Sequence, residues 1–129
     1  MMNSDTRLSI ESEDVDGISV IRVHGEIDLY TMHEFEQALE SGIGKDAAAL
    51  IADLTGVSYL DSSGLSVLLH AHKAISARGG LLCVIASPDS PGVRRVLEIT
   101  RLDTVFRVRD KFEDAVAELK PTDSVTSGQ

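Results

Sequence analysis

The sequence predicts a single α/β domain with a mixed, mostly parallel sheet of about five strands flanked by four helices. Short apolar runs with strand periodicity alternate along the chain with segments of helical periodicity, which is typical of this fold class. The 129 residues are enough for one domain with a substantial buried core. We expect an N-terminal lead over residues 1–6, the folded domain over 7–119 and a disordered polar tail over 120–129.

The first two predicted elements form a β-hairpin. Residues 8–13 and 18–23 each alternate between apolar and polar side chains, which is the periodicity of strands with one buried face. Asp16-Gly17 lies between them and is a common sequence for a tight turn. We therefore expect two antiparallel strands at the start of the domain.

A helix is predicted after the hairpin. Thr31 and Glu34 have the spacing of a capping box, in which two side chains satisfy free backbone N–H groups at the start of a helix. Gly42 and Gly44 predict the end of this helix. The apolar residues that share one of its faces are Met32, Phe35, Ala38 and Leu39.

A strand–helix–strand unit forms the centre of the predicted sheet. Residues 48–54 are almost continuously apolar, which favours a strand covered on both faces. A helix is predicted from about Ser63 to about Arg78, where Gly79-Gly80 supplies its C-terminal cap, and a strand follows over 81–86. We expect the two strands to be parallel and their crossover to be right-handed.

Two more helices and a short strand are predicted in the last third of the chain. Ser90-Pro91 starts the first of these helices, because proline suits the first helical position. A short strand follows at 105–108, and Asp110 with Glu113 starts the last helix. The apolar residues expected to face the core are Val93, Val96, Leu97 and Leu102, and then Phe112, Val116 and Leu119.

Composition argues against several classes of function. The chain carries 21 acidic and 12 basic residues, and its net charge of -9 would repel nucleic acid or an anionic lipid surface. No apolar run approaches the roughly 18 residues of a membrane span, and no secretory signal is recognisable, so we expect a cytoplasmic protein that binds no membrane.

Cys83 is the one cysteine, which excludes an internal disulfide and favours a buried apolar role. We expect no metal and no cofactor.

The junction before the central helix is the candidate functional site. Residues 51–65 run from an apolar strand through a polar turn into a helix whose first residues include the hydroxyls of Ser62 and Ser63. A serine at a helix start can be phosphorylated without disturbing the core, because free N–H groups and the helix dipole favour negative charge there. We interpret Ser62 as a phosphorylation switch. The alternative is that residues 61–64 only cap the helix.

Helical periodicity places a second group of side chains beside Ser62. At about 100° per residue, Ser62, Ser66, Leu69 and Lys73 form one stripe along the helix. An apolar residue, two hydroxyls and a cation together are typical of a transient protein-docking surface. The residues expected on the adjacent core face are Leu65, Leu68, Ala71, His72 and Ile75.

The sequence resembles the STAS family, and within it the small bacterial anti-sigma-factor antagonists. The resemblance covers Leu8 to about Leu119 and therefore implies one STAS-like domain. Two motifs carry it, one after the second strand and a more specific one around the candidate site, and two later segments support it. These segments are Gly25-Glu26-Ile27-Asp28, Leu54-Thr55-Gly56-Val57-Ser58-Tyr59-Leu60-Asp61-Ser62-Ser63-Gly64-Leu65, Gly79-Gly80, and Ser90-Pro91-Gly92-Val93-Arg94-Arg95-Val96-Leu97.

The resemblance implies a regulatory binding protein that switches partners, and not an enzyme. The unphosphorylated form would bind an anti-sigma factor that is also an ATP-binding serine kinase, and so release the sigma factor. The kinase would phosphorylate the serine after the aspartate, which corresponds to Ser62, with Ser63 the less favoured acceptor, and a PP2C-type phosphatase would reset the switch. Asp28 corresponds to an acidic residue close to that serine. The expected partner-binding residues are Asp28, Asp61, Ser62, Ser63, Ser66, Leu69 and Lys73.

Two other functions stay open from the sequence. A hydrolase would use Ser62 or Ser63 as nucleophile, but Leu60 stands where a Gly-x-Ser-x-Gly elbow needs glycine. A STAS scaffold subunit of a larger signalling or lipid-transport complex would keep the fold without a kinase. The histidines that could serve a hydrolase as base are His24, His33, His70 and His72.

Overall fold

A computed structural model describes residues 7–44, 47–89 and 91–119 of the chain and confirms the predicted α/β architecture. Strands and helices alternate after the opening hairpin. The strands are β1 (Leu8–Val15), β2 (Ile18–Ile27), β3 (Ala49–Leu60), β4 (Leu81–Ile85) and β5 (Arg107–Arg109). The helices are α1 (Met32–Ile43), α2 (Ser62–Ser76), α3 (Pro91–Ile99) and α4 (Phe112–Leu119), with a short 3-10 helix at Leu102–Thr104.

The five strands form one mixed sheet in the order β1-β2-β3-β4-β5. β1 and β2 are antiparallel, and Asp16 and Gly17 between them have φ values of 54° and 84°, which confirms the predicted hairpin. The pairs β2–β3, β3–β4 and β4–β5 are all parallel. The predicted lead over 1–6, the predicted tail over 120–129 and Ser90 lie outside the described residues.

Helices cover both faces of the sheet. α1, α2 and α3 pack on one face, where Phe35, Leu68 and Leu97 are fully buried. α4 packs on the other face, and its Ala115 belongs to a second buried cluster that includes Cys83. Burial raises the pKa of the Cys83 thiol to about 11, so the side chain stays neutral. The expectation of a buried apolar cysteine is confirmed.

β3 is longer than the sequence predicts. The pattern predicts a polar turn within residues 55–60, but this stretch continues the strand as far as Leu60. Its backbone pairs with the second half of β2, where Ile27 lies opposite Leu60, and the register shifts twice along the way. Such bulges allow a polar stretch that contains glycine to stay in a sheet. The predicted turn is therefore wrong, and β3 leads directly to α2.

Thr31 precedes α1 as predicted, but the predicted capping box is wrong. The Thr31 side chain makes no capping hydrogen bond to the helix. Its Oγ1 donates to the carbonyl oxygen of Glu26 at 2.8 Å and accepts from the N–H of Asp28 at 3.0 Å. Because Thr31 is buried, these bonds satisfy its hydroxyl within the loop between β2 and α1. At the other end of α1, Gly44 is the capping residue and Gly42 lies inside the last turn.

The buried face of α2 differs in part from the prediction. Leu68, Ala71 and Ile75 are buried as expected, but Leu65 and His72 are only partly buried. Val67 is buried in addition, because α2 packs against α1 as well as against the sheet. A helical-wheel prediction that assumes a single buried face does not detect the second contact surface, with α1.

Gly64 allows α2 to lie close to the ends of two strands. A Cβ atom at this position would lie 2.3 Å from Leu60 Cδ1 and 2.7 Å from Ile27 Cγ2. Both neighbours are buried and branched, so neither can move aside without disturbing the core. The glycine of the Ser62-Ser63-Gly64 sequence therefore fixes how the helix start is seated on the sheet.

Replacing Gly64 with alanine should destabilise the domain by about 1–3 kcal/mol, the usual cost of adding a methyl group to a filled core. Gly92→Ala on α3 is the matched control, since nothing lies within 4 Å of a Cβ placed there. Alanine favours a helix over glycine, so the control should be neutral or stabilising by up to ~1 kcal/mol. Urea unfolding of both variants tests this, and equal midpoints would contradict the close approach at Gly64.

Candidate functional site

The carboxyl ends of β2 and β3 lie side by side and bring two predicted site residues to one edge of the sheet. Ile27 pairs with Leu60, and the N–H of Asp61 donates to the carbonyl oxygen of Ile27 at 3.3 Å. Asp28 follows the first of these strands directly, and Asp61 follows the second. The loop between β2 and α1 and the start of α2 are therefore adjoining segments.

Asp61 is the N-cap residue of α2, and its own side chain makes the capping hydrogen bond. Its backbone is extended, and its Oδ1 accepts a hydrogen bond from the N–H of Ser63 at 2.9 Å. Ser62 is the first helical residue and is exposed, whereas Ser63 is partly buried. Within the described ranges, no group forms a hydrogen bond with the Ser62 hydroxyl. The interpretation that residues 61–64 only cap the helix explains the hydrogen bond of Asp61, but it assigns no role to the Ser62 side chain.

The predicted stripe on α2 lies at the surface. Ser66 and Lys73 are exposed, and Leu69 is partly exposed. They continue along the helix from Ser62 over about three turns. The structure therefore leaves these side chains accessible to a partner, and their role in binding stays a prediction.

The Asp28 carboxylate is held in place by the loop that follows it. Its Oδ1 accepts hydrogen bonds from the N–H groups of Tyr30 at 2.9 Å and Thr31 at 3.1 Å. Its Oδ2 lies 3.3 Å from Nη1 of Arg7. Desolvation opposes ionisation, but the backbone hydrogen bonds and the Arg7 charge outweigh it, and together they lower the pKa of Asp28. Asp28 is thus an ionised residue that also organises its own loop.

Three residues of this region were missed by sequence reasoning. Leu29 and Tyr30 follow Asp28 and are 66% and 80% exposed, which is unusual for large apolar side chains. Arg7 contacts Asp28 and the Tyr30 ring, although 21 residues separate it from Asp28. The signal for Leu29 and Tyr30 was available, since two large apolar residues directly after a strand end have no predicted core to face. Arg7 had no comparable signal.

The histidines do not form a catalytic arrangement with the serines. His72 lies beside Phe106, with ring centroids 6.0 Å apart, and its Nδ1 is 3.4 Å from the hydroxyl of Ser76. His24, His33 and His70 are exposed. In the part of the chain that the structure describes, no histidine is hydrogen-bonded to Ser62 or Ser63. Nothing observed supports a hydrolase, whose nucleophile needs a nearby base.

A cleft of about 440 Å³ lies elsewhere, between the second half of α2 and strands β4 and β5. His72, Ser76 and Arg107 are among its lining residues.

Among residues 7–44, 47–89 and 91–119, no group of three or more His, Cys, Asp or Glu side chains is placed to hold a metal ion. Within the same ranges, no helix has the length and apolar character needed to cross a membrane.

Comparison with known proteins identifies the fold family. Residues 9–115 match the family described as STAS domain. The chain belongs to the STAS family. A relative named anti-sigma-B factor antagonist, from Listeria monocytogenes, is 36% identical over 103 residues, which cover 80% of this chain and 88% of the relative.

Two further comparisons extend over most of this STAS domain. A relative named anti-sigma-F factor antagonist RsfB, from Mycobacterium tuberculosis, is 28% identical over 117 residues, or 89% of this chain and 92% of the relative. A crystal structure of an anti-sigma factor antagonist from Mycobacterium paratuberculosis superposes with a TM-score of 0.82 at 32% identity, covering 88% of this chain and 95% of that one. The resemblance stated from the sequence is confirmed at the level of the family and the fold.

Asp28 should stabilise the STAS domain in a pH-dependent way. A lowered pKa in the folded state means that its contribution is complete above the unfolded pKa of about 3.9 and is lost as the pH falls through the folded pKa. Asp28→Asn keeps an Oδ1 acceptor for Tyr30 and Thr31 but removes the charge. The difference in urea midpoint between wild type and Asp28→Asn should therefore be larger at pH 6 than at pH 3. A constant difference would contradict the role of the charge.

Proposed function

We propose that the protein is an anti-sigma-factor antagonist controlled by phosphorylation of Ser62. Its unphosphorylated form binds an anti-sigma factor with serine kinase activity in the cytoplasm and so releases the sigma factor. The names of relatives at 28–36% identity support the class of function. The observation that carries the phosphorylation proposal is the exposed Ser62 hydroxyl, which the fold places at a helix start but does not use.

A phosphate on Ser62 would be compatible with the fold. It adds a charge of about -1.5 to -2 at neutral pH, and the acidic neighbours Asp28 and Asp61 oppose this charge. The dipole and free N–H groups at the start of α2 favour it by roughly 0.3–2 kcal/mol. Asp61 keeps its bond to Ser63 whether or not Ser62 is modified, because the cap does not involve the Ser62 side chain. The phosphorylated domain therefore stays folded.

The effect of the phosphate falls on the interface. A partner surface shaped for a neutral hydroxyl must either bury a doubly charged group without partners or separate from it. Leaving charge unpaired in an interface costs on the order of 2–5 kcal/mol. At about 1.4 kcal/mol per tenfold change, this corresponds to an affinity loss of roughly 30-fold to several-thousand-fold. The switch thus works by rejecting a partner and needs no change of fold.

The docking surface that we propose joins two adjoining segments. One is α2 from its start along the stripe, and the other is the loop between β2 and α1, which begins with Asp28. The net charge of -9 favours a partner of opposite net charge, because such a partner is steered to the chain from a distance. A PP2C-type phosphatase resets the switch and can reach the phosphoserine because Ser62 is exposed. The proposed partner-binding residues are Asp28, Asp61, Ser62, Ser63, Ser66, Leu69 and Lys73.

Incubation with ATP and candidate anti-sigma-factor kinases should phosphorylate the wild-type chain and Ser63→Ala, but not Ser62→Ala. Ser63 is the matched control because it is the neighbouring hydroxyl. Ser62→Ala should still bind the kinase, whereas Ser62→Asp should bind at least roughly 30-fold more weakly. Mass mapping and calorimetric titration measure these results.

The same variants must unfold at nearly the same temperature as the wild type. If Ser62→Asp melts the domain, its weak binding would reflect unfolding and the interface argument would fail. If no kinase modifies the wild-type chain, the alternative of a STAS scaffold without a kinase gains support.

Leu69→Ala should weaken kinase binding by about fivefold or more, because we propose that this apolar side chain lies at the centre of the docking surface, where truncation of such residues can cost more than about 1 kcal/mol. Leu81 is a suitable control, since it is 42% exposed at the start of β4, at the other end of the sheet from Ser62. Leu81→Ala should leave the affinity unchanged within about twofold. Equal affinities of the two variants would remove the α2 stripe from the docking surface.

A further inference from the structure

The loop between β2 and α1 exposes two large apolar side chains beside the proposed switch. Leu29 is 66% exposed and Tyr30 is 80% exposed. Both follow Asp28, which lies at the same sheet edge as the start of α2. An exposed aromatic side chain next to a binding surface is a common anchor for a partner protein.

Arg7 contacts this loop from the start of the hairpin. Its Nη1 lies 3.3 Å from Oδ2 of Asp28. Its guanidinium carbon lies 5.5 Å from the centre of the Tyr30 ring, within the range of a cation–π contact. The Arg7 side chain therefore contacts both the carboxylate of Asp28 and the ring of Tyr30.

The backbone of Arg7 is fixed as closely as its side chain. Its carbonyl oxygen accepts a hydrogen bond from the N–H of Glu26 at 2.9 Å. Gly25 has a φ of +118°, and a Cβ atom there would lie 1.9 Å from that same carbonyl oxygen. Only glycine permits this approach. The position of Arg7 over the loop is thus set by the sheet itself.

Tyr30 is consequently held from two directions. The Asp28 carboxylate accepts its backbone N–H at 2.9 Å, and Arg7 lies against its ring. A side chain that is ordered before binding loses less conformational freedom when a complex forms.

We propose that Arg7 is a positioning residue that presents Tyr30 as an apolar anchor of the docking surface. The partner is the anti-sigma-factor kinase of the proposed function, which would offer an apolar pocket for the ring and basic groups for the carboxylates at this edge of the sheet. This inference rests on the proposed function, since it describes the same surface. The carboxylates at this edge are Glu26, Asp28 and Asp61.

Amide hydrogen exchange on the full-length chain tests the positioning role without a partner. Arg7→Ala should speed exchange at the N–H groups of Tyr30 and Thr31 by severalfold. The N–H of Ser63, which Asp61 caps, is the internal control and should not change. Arg95→Ala on α3 removes an exposed arginine elsewhere and should change none of the three rates. Unchanged exchange at Tyr30 and Thr31 in Arg7→Ala would overturn the inference.

Calorimetric titration with the kinase that phosphorylates the wild-type chain tests the anchor. Tyr30→Ala should weaken binding by more than about 30-fold, and Tyr30→Phe, which keeps the ring, should stay within about twofold. Arg7→Ala should weaken binding roughly 3- to 10-fold, the cost of ordering one side chain. Ile99→Ala, which removes an exposed apolar side chain at the end of α3, should have no effect.

The double variant separates positioning from an independent contact. If Arg7 acts through Tyr30, then Arg7→Ala should have little further effect once Tyr30 is alanine. Additive effects would overturn the inference, because Arg7 would then act through a contact of its own or through Asp28. A wild-type chain that binds a kinase and loses it in Ser62→Asp, while Tyr30→Ala binds normally, would overturn the anchor alone. A wild-type chain that binds no kinase would overturn the proposed function and the anchor with it.

Discussion

The parallel pairing of Ile27 with Leu60 is the constraint on which the site depends, because it brings two loop segments to one edge of the sheet. The N–H of Asp61 extends this pairing by one hydrogen bond to Ile27. Gly64 then lies directly over both side chains, so the first turn of α2 cannot shift relative to the strands. Ser62 is therefore carried by a rigid frame. Under the proposed function, a phosphate on this hydroxyl would act through its own charge and shape, because the frame beneath it is closely packed.

Long-range and short-range electrostatics have opposite effects at such a site. A partner of opposite net charge would be attracted to this acidic chain from a distance, and a phosphate on Ser62 would increase this attraction. At contact, the same phosphate would be desolvated against the part of the partner that fits the neutral Ser62 hydroxyl, where no group is placed to pair with it. The two effects act on different rate constants. Long-range attraction raises the association rate constant, whereas the mismatch at contact raises the dissociation rate constant. A modified antagonist of this kind would still meet its partner often, but would leave it quickly.

What the sequence could predict was set by the range of the interactions. The order of elements, the hairpin and the exposed stripe follow from periodicities of a few residues, and the structure agrees with them. Residues 55–60 were misassigned because their strand state comes from pairing with β2, which their composition does not reveal. The capping box at Thr31 was mispredicted for a similar reason. The Thr31 hydroxyl donates to the carbonyl oxygen of Glu26 in the preceding segment and does not cap the helix. The contact of Arg7 with Asp28 crosses 21 residues of chain and has no local signature.

The two segments of the site share one local design. In each, an aspartate at a strand end accepts the N–H of the second residue after it: Asp28 from Tyr30 and Asp61 from Ser63. Such a turn uses the aspartate and the backbone, so the side chain between them is not needed for its geometry. At the second turn that side chain is Ser62, and a phosphate can be added there without breaking the turn. The capping pattern that suggested a purely structural role for this segment is therefore compatible with the proposed phosphorylation of its serine.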